Sequence, residues 1–398
     1  MFTIKSIILP ICFSLFIYFE YFNLTNFLVN TIMGLFSFYL LFTLNKKELF
    51  FTGFFIGIVW FWWIGYSFIY YNLLYLIPFV LIGIGIVYGI LFYIGGLFNS
   101  LIYKVLYFFI LSFINPFGFN WFKLELPFIN SYLGTSKVDL FIILIATAAL
   151  IYFQNQNKLK IGVLLYAISL ILLSIFNKPI LNIQPSSFNI HIQNTNIPQN
   201  QKWDKQYRDT ILTENFNNIK IAIDKKYELI IFPETSFPIV LNHQINIQKE
   251  LLKYSKNISI VLGSLYEKDG LLYNSSYLFQ NGSMQVANKV VLVPFGEAVP
   301  LPEKLRDIIN NTFYNGAKDY ETAKEPTTFD IKGKKFRNAI CYEATTDEIY
   351  KNLDTSYVIA ISNNAWFTPS HQPVLQKLLM KYYAYKYNLY IYNITNEG

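Results

Sequence analysis

The charged residues are placed so unevenly that they divide the chain before any motif is read. Of the 398 residues, positions 1–180 carry 13 charges, nine Lys and four acids (Glu20, Glu48, Glu125 and Asp139), whereas positions 181–398 carry 44, 23 basic and 21 acidic. Between the sparse charges lie seven apolar runs, roughly 5–22, 24–44, 49–69, 73–93, 97–114, 138–153 and 161–177. An α-helix needs about 20 apolar residues to cross a hydrocarbon core, and these runs are of that order. Residues 1–180 therefore read as a bundle of about seven transmembrane helices, and 181–398 as a globular domain. The first run also fits a secretory leader with Lys5 at its head. No small-residue cleavage site follows it, and Phe13, Phe16, Tyr18 and Phe19 prolong it, so it is read as a retained span.

Lysine placement orients the spans, because cytoplasmic loops collect Lys and Arg. With Lys5 inside, the break at Asn45–Glu48 and the break carrying Lys158 and Lys160 also fall inside, while the breaks near Asn23 and Tyr70–Asn72 carry no basic residue. Seven crossings then place residues 181–398 outside. The basic excess is five in the apolar part and two in the polar part, so most of it sits beside spans, which argues for topology and against a nucleic-acid partner. Residues 115–137 are too aromatic for a plain loop. They read as an interfacial segment whose Phe117, Phe119, Trp121, Phe122 and Phe128 dip into the headgroup layer, an ordinary aromatic belt being the other reading.

In the polar part, candidate strands are Phe188–Gln193, Glu228–Pro233, Ser259–Tyr266, Tyr273–Gln280, Lys289–Val293, Lys335–Tyr342, Tyr357–Ser362 and Tyr390–Thr395. Helical patterns occupy Asp204–Lys225, Gln244–Ser255, Ala344–Asn352 and Gln372–Asn388, which makes an α/β or α+β domain. Two Cys, at 12 and 341, and three His, at 191, 243 and 371, are scattered singly. They match no metal-ligand spacing, no metal or other cofactor is expected, and the His read as loop or surface residues.

Three groups at strand ends could carry chemistry. Cys341 ends one strand just before a predicted helix, where a helix N-terminus would lower the pKa of its thiol; an inert core thiol is the alternative. Glu234 ends an apolar strand, where burial would raise its pKa toward values useful for proton transfer, unless it is merely a cap or a salt bridge. Lys289 opens the predicted strand 289–293 and could serve as a fixed positive charge for an oxyanion.

The segments carrying these residues, IFPET at 231–235, NKVVLVPFGEAVP at 288–300 and CYE at 341–343, occur together with NIPQNQKWD at 196–204 and SNNAWF at 362–367. In that order, behind a bundle of spans, they resemble the apolipoprotein N-acyltransferase family, the membrane-bound branch of the nitrilase (carbon–nitrogen hydrolase) superfamily. The resemblance implies an αββα sandwich for 181–398 on the periplasmic side of a bacterial inner membrane. It also implies Glu234 as general base, Lys289 as oxyanion stabiliser and Cys341 as nucleophile, with Trp203, Glu297, Tyr342 and Glu343 supporting the site. Trp121, Trp366 and Phe367 would line the lipid route. The implied reaction is a ping-pong transfer from a phospholipid acyl donor to the N-terminal amine of a diacylated apolipoprotein, by a monomer. A membrane-tethered amidase would use the same triplet with water as acceptor, and a transporter or receptor would make the triplet coincidental. Relative to the family pattern the C-terminal strands and a final span are expected to be missing after Gly398.

Overall fold

Polar punctuation starts the helices of the apolar part. Asn45 accepts hydrogen bonds from the N–H groups of Lys47 and Glu48 while Glu48 accepts from Asn45 N–H, and Ser136 with Asp139 repeats this reciprocal cap. The computed structural model describes residues 3–176, 183–300, 302–304, 306 and 319–398. The chain divides into two compact units, Met1–Ile180 with Ser370–Tyr382, and Leu181–Pro369 with Tyr383–Gly398.

In the first unit, α1 (Lys5–Tyr21), α2 (Phe27–Thr43), α3 (Lys46–Phe61), α4 (Ile77–Gly95), α5 (Leu101–Leu111), α6 (Lys137–Asn155) and α7 (Leu159–Phe176) fall on the seven apolar runs. Residue 177, the end of the seventh run, lies outside the described residues. Among the described residues, four stretches, Lys46–Ile69, Leu74–Gly95, Leu101–Gly118 and Lys137–Asn155, are long and apolar enough to cross a membrane. The expected count of seven crossings is thus not established. Lys104 is buried and donates to the carbonyls of Phe42 and Leu44 at the end of α2, a cap rather than a transport charge.

The segment expected at the headgroups folds inward instead. Trp121, Phe122 and Phe128 are buried: Phe122 packs on Phe13, Trp60, Tyr88 and Phe92, and Phe128 stacks on Phe38, while Phe117 is exposed. Aromatic rings this large find more contact in a protein interior than at an interface. Buried Glu125 in the same segment is paired with Lys137 at 2.6 Å and accepts a 2.9 Å bond from Tyr382. His371 is likewise buried, against Tyr18 and Trp62, with Nε2 3.1 Å from the Trp60 carbonyl; it lies in a bend, as a loop residue would, but not at the surface.

The second unit is built from two sheets. In the first, β1 (Ile190–Ile192), β2 (Leu229–Ile231) and β3 (Ser259–Lys268) are parallel, and β4 (Leu271–Gln280) and β5 (Ser283–Asn288) continue antiparallel. In the second, β6 (Thr328–Ile331) is antiparallel to β7 (Lys334–Ile340), and β7, β8 (Tyr357–Asn363) and β9 (Tyr390–Asn396) are parallel. The two-residue period of β2 sends Leu229 and Ile231 toward Phe336, Ile340, Ile359 and Ile394 of the second sheet. Ile230 and Phe232 point the other way, into a core shared with Leu212 and Ile219 of α9 (Lys205–Asp224) and Leu251 of α10 (Ile245–Tyr254). Both faces of β2 are therefore buried, which is why it reads as a continuous apolar run.

Two sequence expectations fail here for the same reason. Lys289–Val293 is not a strand, because the N–H groups of Val290 and Val291 donate to the Glu343 carboxylate instead of to a neighbouring strand; the strand is β5, ending one residue before Lys289. Ala344–Asn352 is not an α-helix but part of two short 3₁₀ turns, Cys341–Thr345 and Asp347–Tyr350. In both segments a side chain claims backbone groups that regular structure would have used.

The α3–α4 pair packs backbone to backbone: a Cβ on Gly53 would lie 2.3 Å from the Tyr88 carbonyl oxygen. Small residues at such crossings are what let apolar helices associate in lipid. Gly53→Leu is expected to destabilise the first unit by about 1–3 kcal/mol or more, read as a lower melting temperature in detergent; a parental melting temperature would show that the helices can separate without cost.

Candidate active site

Parallel strands deliver their C-terminal ends to one edge, and that edge is where ligands of such sheets bind. Glu234 follows the end of β2, Cys341 the end of β7, Asn363 is the last residue of β8, and Lys289 follows β5, which runs in the same direction as β3. Two of these chain ends turn sharply: Thr235 has φ +47° and Cys341 φ +55°, a region that non-glycine residues avoid and that clusters at functional sites. Gly263 of β3 makes room for the first turn. A Cβ there would lie 2.5 Å from Thr235 N, 2.7 Å from Glu234 Cα and 2.8 Å from the Pro233 oxygen, all backbone atoms.

The Glu234 carboxylate is buried and held from both sheets. Asn274 of β4 donates to its Oε1 at 2.7 Å, and the Asn363 N–H donates to its Oε2 at 2.8 Å. The same Asn274 amide donates at 2.9 Å to Glu297, which pairs with Lys289 at 2.6 Å. Glu297 also accepts from Val293 N–H, which fixes its orientation. Glu343 is buried and accepts from the N–H groups of Val290, Val291 and Ile340, tying the Lys289 segment to the turn that carries Cys341.

Burial is the first cause of each displaced pKa. It raises that of Glu234, with Glu297 adding and Lys289, Asn274 and Lys202 opposing. It pushes the Cys341 thiol up to about 12, with Glu234 adding, and with Lys289 and the Asn363 backbone easing ionisation. Burial alone would lower Lys289, but Glu297 and Glu234 outweigh it and hold the ammonium well above its ordinary value. Glu343 is raised to about 7 by burial, against the pull of Lys289 and its backbone donors. The expectation that a helix N-terminus activates Cys341 is thus overturned: a short 3₁₀ turn follows it, and the thiol is harder to ionise than in water. Raising the carboxylate makes it a stronger acceptor for the thiol's proton, and raising the thiol works against that transfer.

Of the supporting residues, Glu297 and Glu343 fall in this cluster, and Tyr342 is buried beside Cys341 in sequence. Trp203 is exposed at the end of α8 (Gln199–Lys202), and Trp366 and Phe367 are partly exposed at the turn after β8. Trp121 belongs to the aromatic core of the first unit, 5.1 Å from Trp63. Sequence reasoning missed Asn274, Asn363, Gly263 and Lys202. The signal for Asn274 was present: Asn274-Ser275-Ser276 are polar residues in the middle of a strand that is otherwise apolar there, and all three are buried. The NIPQ segment is explained by Gln199, which accepts 2.8 Å from the Asn363 amide, while Asn396 of β9 donates to Asn363 Oδ1 at 2.8 Å.

A cysteine, a carboxylate and an ammonium at one strand-end edge define a nitrilase-type catalytic domain, and residues 196–398 match the carbon–nitrogen hydrolase family model. Residues 1–173 match the apolipoprotein N-acyltransferase integral membrane domain. The chain is 40% identical to an apolipoprotein N-acyltransferase of Wolinella succinogenes over 98% of its own length and 92% of the relative's, and 36% identical to one of Helicobacter hepaticus over 93% and 92%. A solved amidase from a Nesterenkonia species is a far more distant likeness, 15% identical with a TM-score of 0.39 over 55% of this chain and 80% of that one. The chain belongs to the apolipoprotein N-acyltransferase family.

Because only backbone atoms face a new Cβ at Gly263, Gly263→Ala is expected to displace Glu234 and slow turnover about 100-fold while the chain still folds. Parental turnover in that variant would show that residues 233–235 can move aside without harm.

Proposed function

We propose that the chain transfers an acyl group from a phospholipid to the N-terminal α-amine of the diacylglyceryl-cysteine of an apolipoprotein, through a thioester on Cys341. The observation that carries this reading is the cluster of buried Glu234 and Lys289 with half-buried Cys341, in a chain whose first 173 residues match an integral membrane domain. A thiol nucleophile splits a difficult aminolysis into two easier steps.

In the first step Glu234 takes the Cys341 proton as sulfur attacks the ester carbonyl. The charged oxygen that develops meets Lys289, whose proton is secured by Glu297 at 2.6 Å. The C–O bond to the lysophospholipid breaks, its alkoxide takes the proton from Glu234, and the acyl group stays on sulfur. In the second step the neutral amine attacks the thioester and gives a proton to Glu234. The C–S bond then breaks, an amide leaves, and the proton returns to the thiolate. Glu297 and Glu343 hold Lys289 and its segment, and Tyr342 packs the turn. Trp203 is assigned to support of the site, and Trp366, Phe367 and Trp121 of the first unit to the lipid route, all from the sequence resemblance alone.

Acyl transfer is favoured over hydrolysis of an amide because the relatives matched over nearly their full length are acyltransferases by name, and because both substrates are lipid-anchored, which gives a membrane domain a purpose. The reading takes the enzyme as a monomer of a bacterial inner membrane with residues 181–398 in the periplasm, an orientation supported by the placement of Lys5, Lys46, Lys47, Lys158 and Lys160.

Incubation of the purified chain with a defined phospholipid is expected to add a hydroxylamine-labile acyl mass to the parent and none to Cys341→Ala, with Glu234→Gln slowed about 10²–10⁴-fold. An adduct that persists in Cys341→Ala would place the acyl group elsewhere and sink the mechanism. For the orientation, Asn257→Cys in intact spheroplasts is expected to react with a membrane-impermeant maleimide; labelling only after lysis would reverse it.

A further inference from the structure

Lys202 is a buried lysine that the mechanism above leaves without a task. It is the last residue of α8, 1% exposed, and its Nζ donates at 2.9 Å to the main-chain oxygen of Glu234. Among the described residues it forms no ion pair. An ammonium ordinarily stays out of a protein interior unless a negative charge is there to meet it.

The charges of the cluster show which negative charge that is. Lys289 has its own counter-ion in Glu297 at 2.6 Å. Glu343 is held by three backbone N–H groups. What remains is an anion on Glu234 or, once the thiol gives up its proton, on Cys341; Lys289 acts on both as well, and Lys202 is attracted to both positions. Its charge need not move when that of the anion does.

We propose that Lys202 is a positioning residue for the general base: its ammonium fixes the main chain at Glu234 and serves as the counter-ion of the anion shared between Glu234 and Cys341. The inference deepens the function proposed above, and rests on it for the roles of those two residues. The main-chain bond acts where the backbone is most constrained, between the Thr235 turn at φ +47° and the Gly263 backbone contact. Burial lowers the pKa of Lys202 to about 7, with Glu234 and Cys341 opposing. Its charge is therefore present below about 7 and lost above. Lys289, held well above its ordinary value by Glu297 and Glu234, stays charged through that range.

The sign follows. A nearby cation favours ionised Glu234 and the Cys341 thiolate, so removing it disfavours both, and does so only at pH values where the parent lysine carries its proton. The test uses the full chain in detergent and needs no acyl donor: the rate of N-ethylmaleimide addition at Cys341, resolved from Cys12 by peptide mass mapping, from about pH 5.5 to 8.5. Lys202→Gln keeps a donor for the Glu234 carbonyl and removes the charge. It is expected to react about tenfold or more slowly than the parent near pH 6, the ratio closing toward one above about pH 8. Lys202→Met, which loses the donor as well, is expected to be slower than the parent at every pH. Superimposed parent and Lys202→Gln profiles, or a ratio independent of pH, would overturn the counter-ion role, and a Lys202→Met profile matching that of Lys202→Gln would remove the main-chain role. If Lys202→Gln does not fold, Lys202→Arg, whose charge is not lost in this range, should match the parent near pH 6 and react faster than it above about pH 8, and superimposed profiles at every pH overturn the proposal. Acylation of the parent by phospholipid, run alongside, reports separately on the function itself: a chain that fails to acylate yet shows the pH-dependent ratio loses the acyl-transfer reading and keeps Lys202 as counter-ion.

Discussion

The buried carboxylate of Glu234 is the group on which the catalytic unit depends. A carboxylate taken out of water must be given donors and positive charge or it will not stay ionised. Its two oxygens are served from two different sheets, Oε1 by Asn274 in β4 and Oε2 by the Asn363 N–H at the end of β8. The sandwich is thus more than a scaffold for the site, since neither sheet alone can satisfy this one side chain. The apolar contacts of Leu229 and Ile231 with Ile340, Ile359 and Ile394 set the distance between the sheets, and with it the reach of those two hydrogen bonds.

The surrounding groups follow from that constraint. Asn274 must face two carboxylates at once, so a cation has to stand by the second, and Lys289 does so against Glu297. Lys289 belongs to a segment that cannot be a strand, because Glu343 takes its N–H groups, and Glu343 in turn follows Cys341 by two residues. The proposed nucleophile and the proposed oxyanion cation are therefore held in one piece of hydrogen-bonded chain. The thiol in this setting is not pre-ionised. Pushed up to about 12, it becomes a nucleophile only as its proton leaves, which confines reactivity to the moment when base and substrate are both in place.

The membrane unit obeys different physics. Lipid offers no hydrophobic gain for bringing one apolar helix against another, so α3 and α4 associate through close backbone approach at Gly53, and polar groups such as Lys104, Glu125 and Lys137 are consumed as caps and pairs. The aromatic segment after α5 is drawn into this interior, where Phe122 and Phe128 complete ring clusters begun by α1, α2 and α3.

What could be read in the sequence was what local pattern decides. The division of the chain follows from charge density; the helices of the first unit follow from the seven apolar runs; the buried strands follow from apolar runs such as Leu229–Ile231. The types of the reacting groups were legible too, because a carboxylate, an ammonium and a thiol at strand ends are unusual and the flanking motifs resemble one family. What tertiary structure alone decided is who meets whom. The bonds from Glu234 to Asn274 and Asn363 span 40 and 129 residues, and the main-chain bond from Lys202 spans 32. Propensity and periodicity act over one or two turns, so they carry no information at such separations. The same limit explains the errors: Lys289–Val293 has a strand's composition and Ala344–Asn352 a helix's, but the Glu343 carboxylate takes the N–H groups of Val290 and Val291, and Arg337 and the Tyr350 hydroxyl take carbonyls of the second segment.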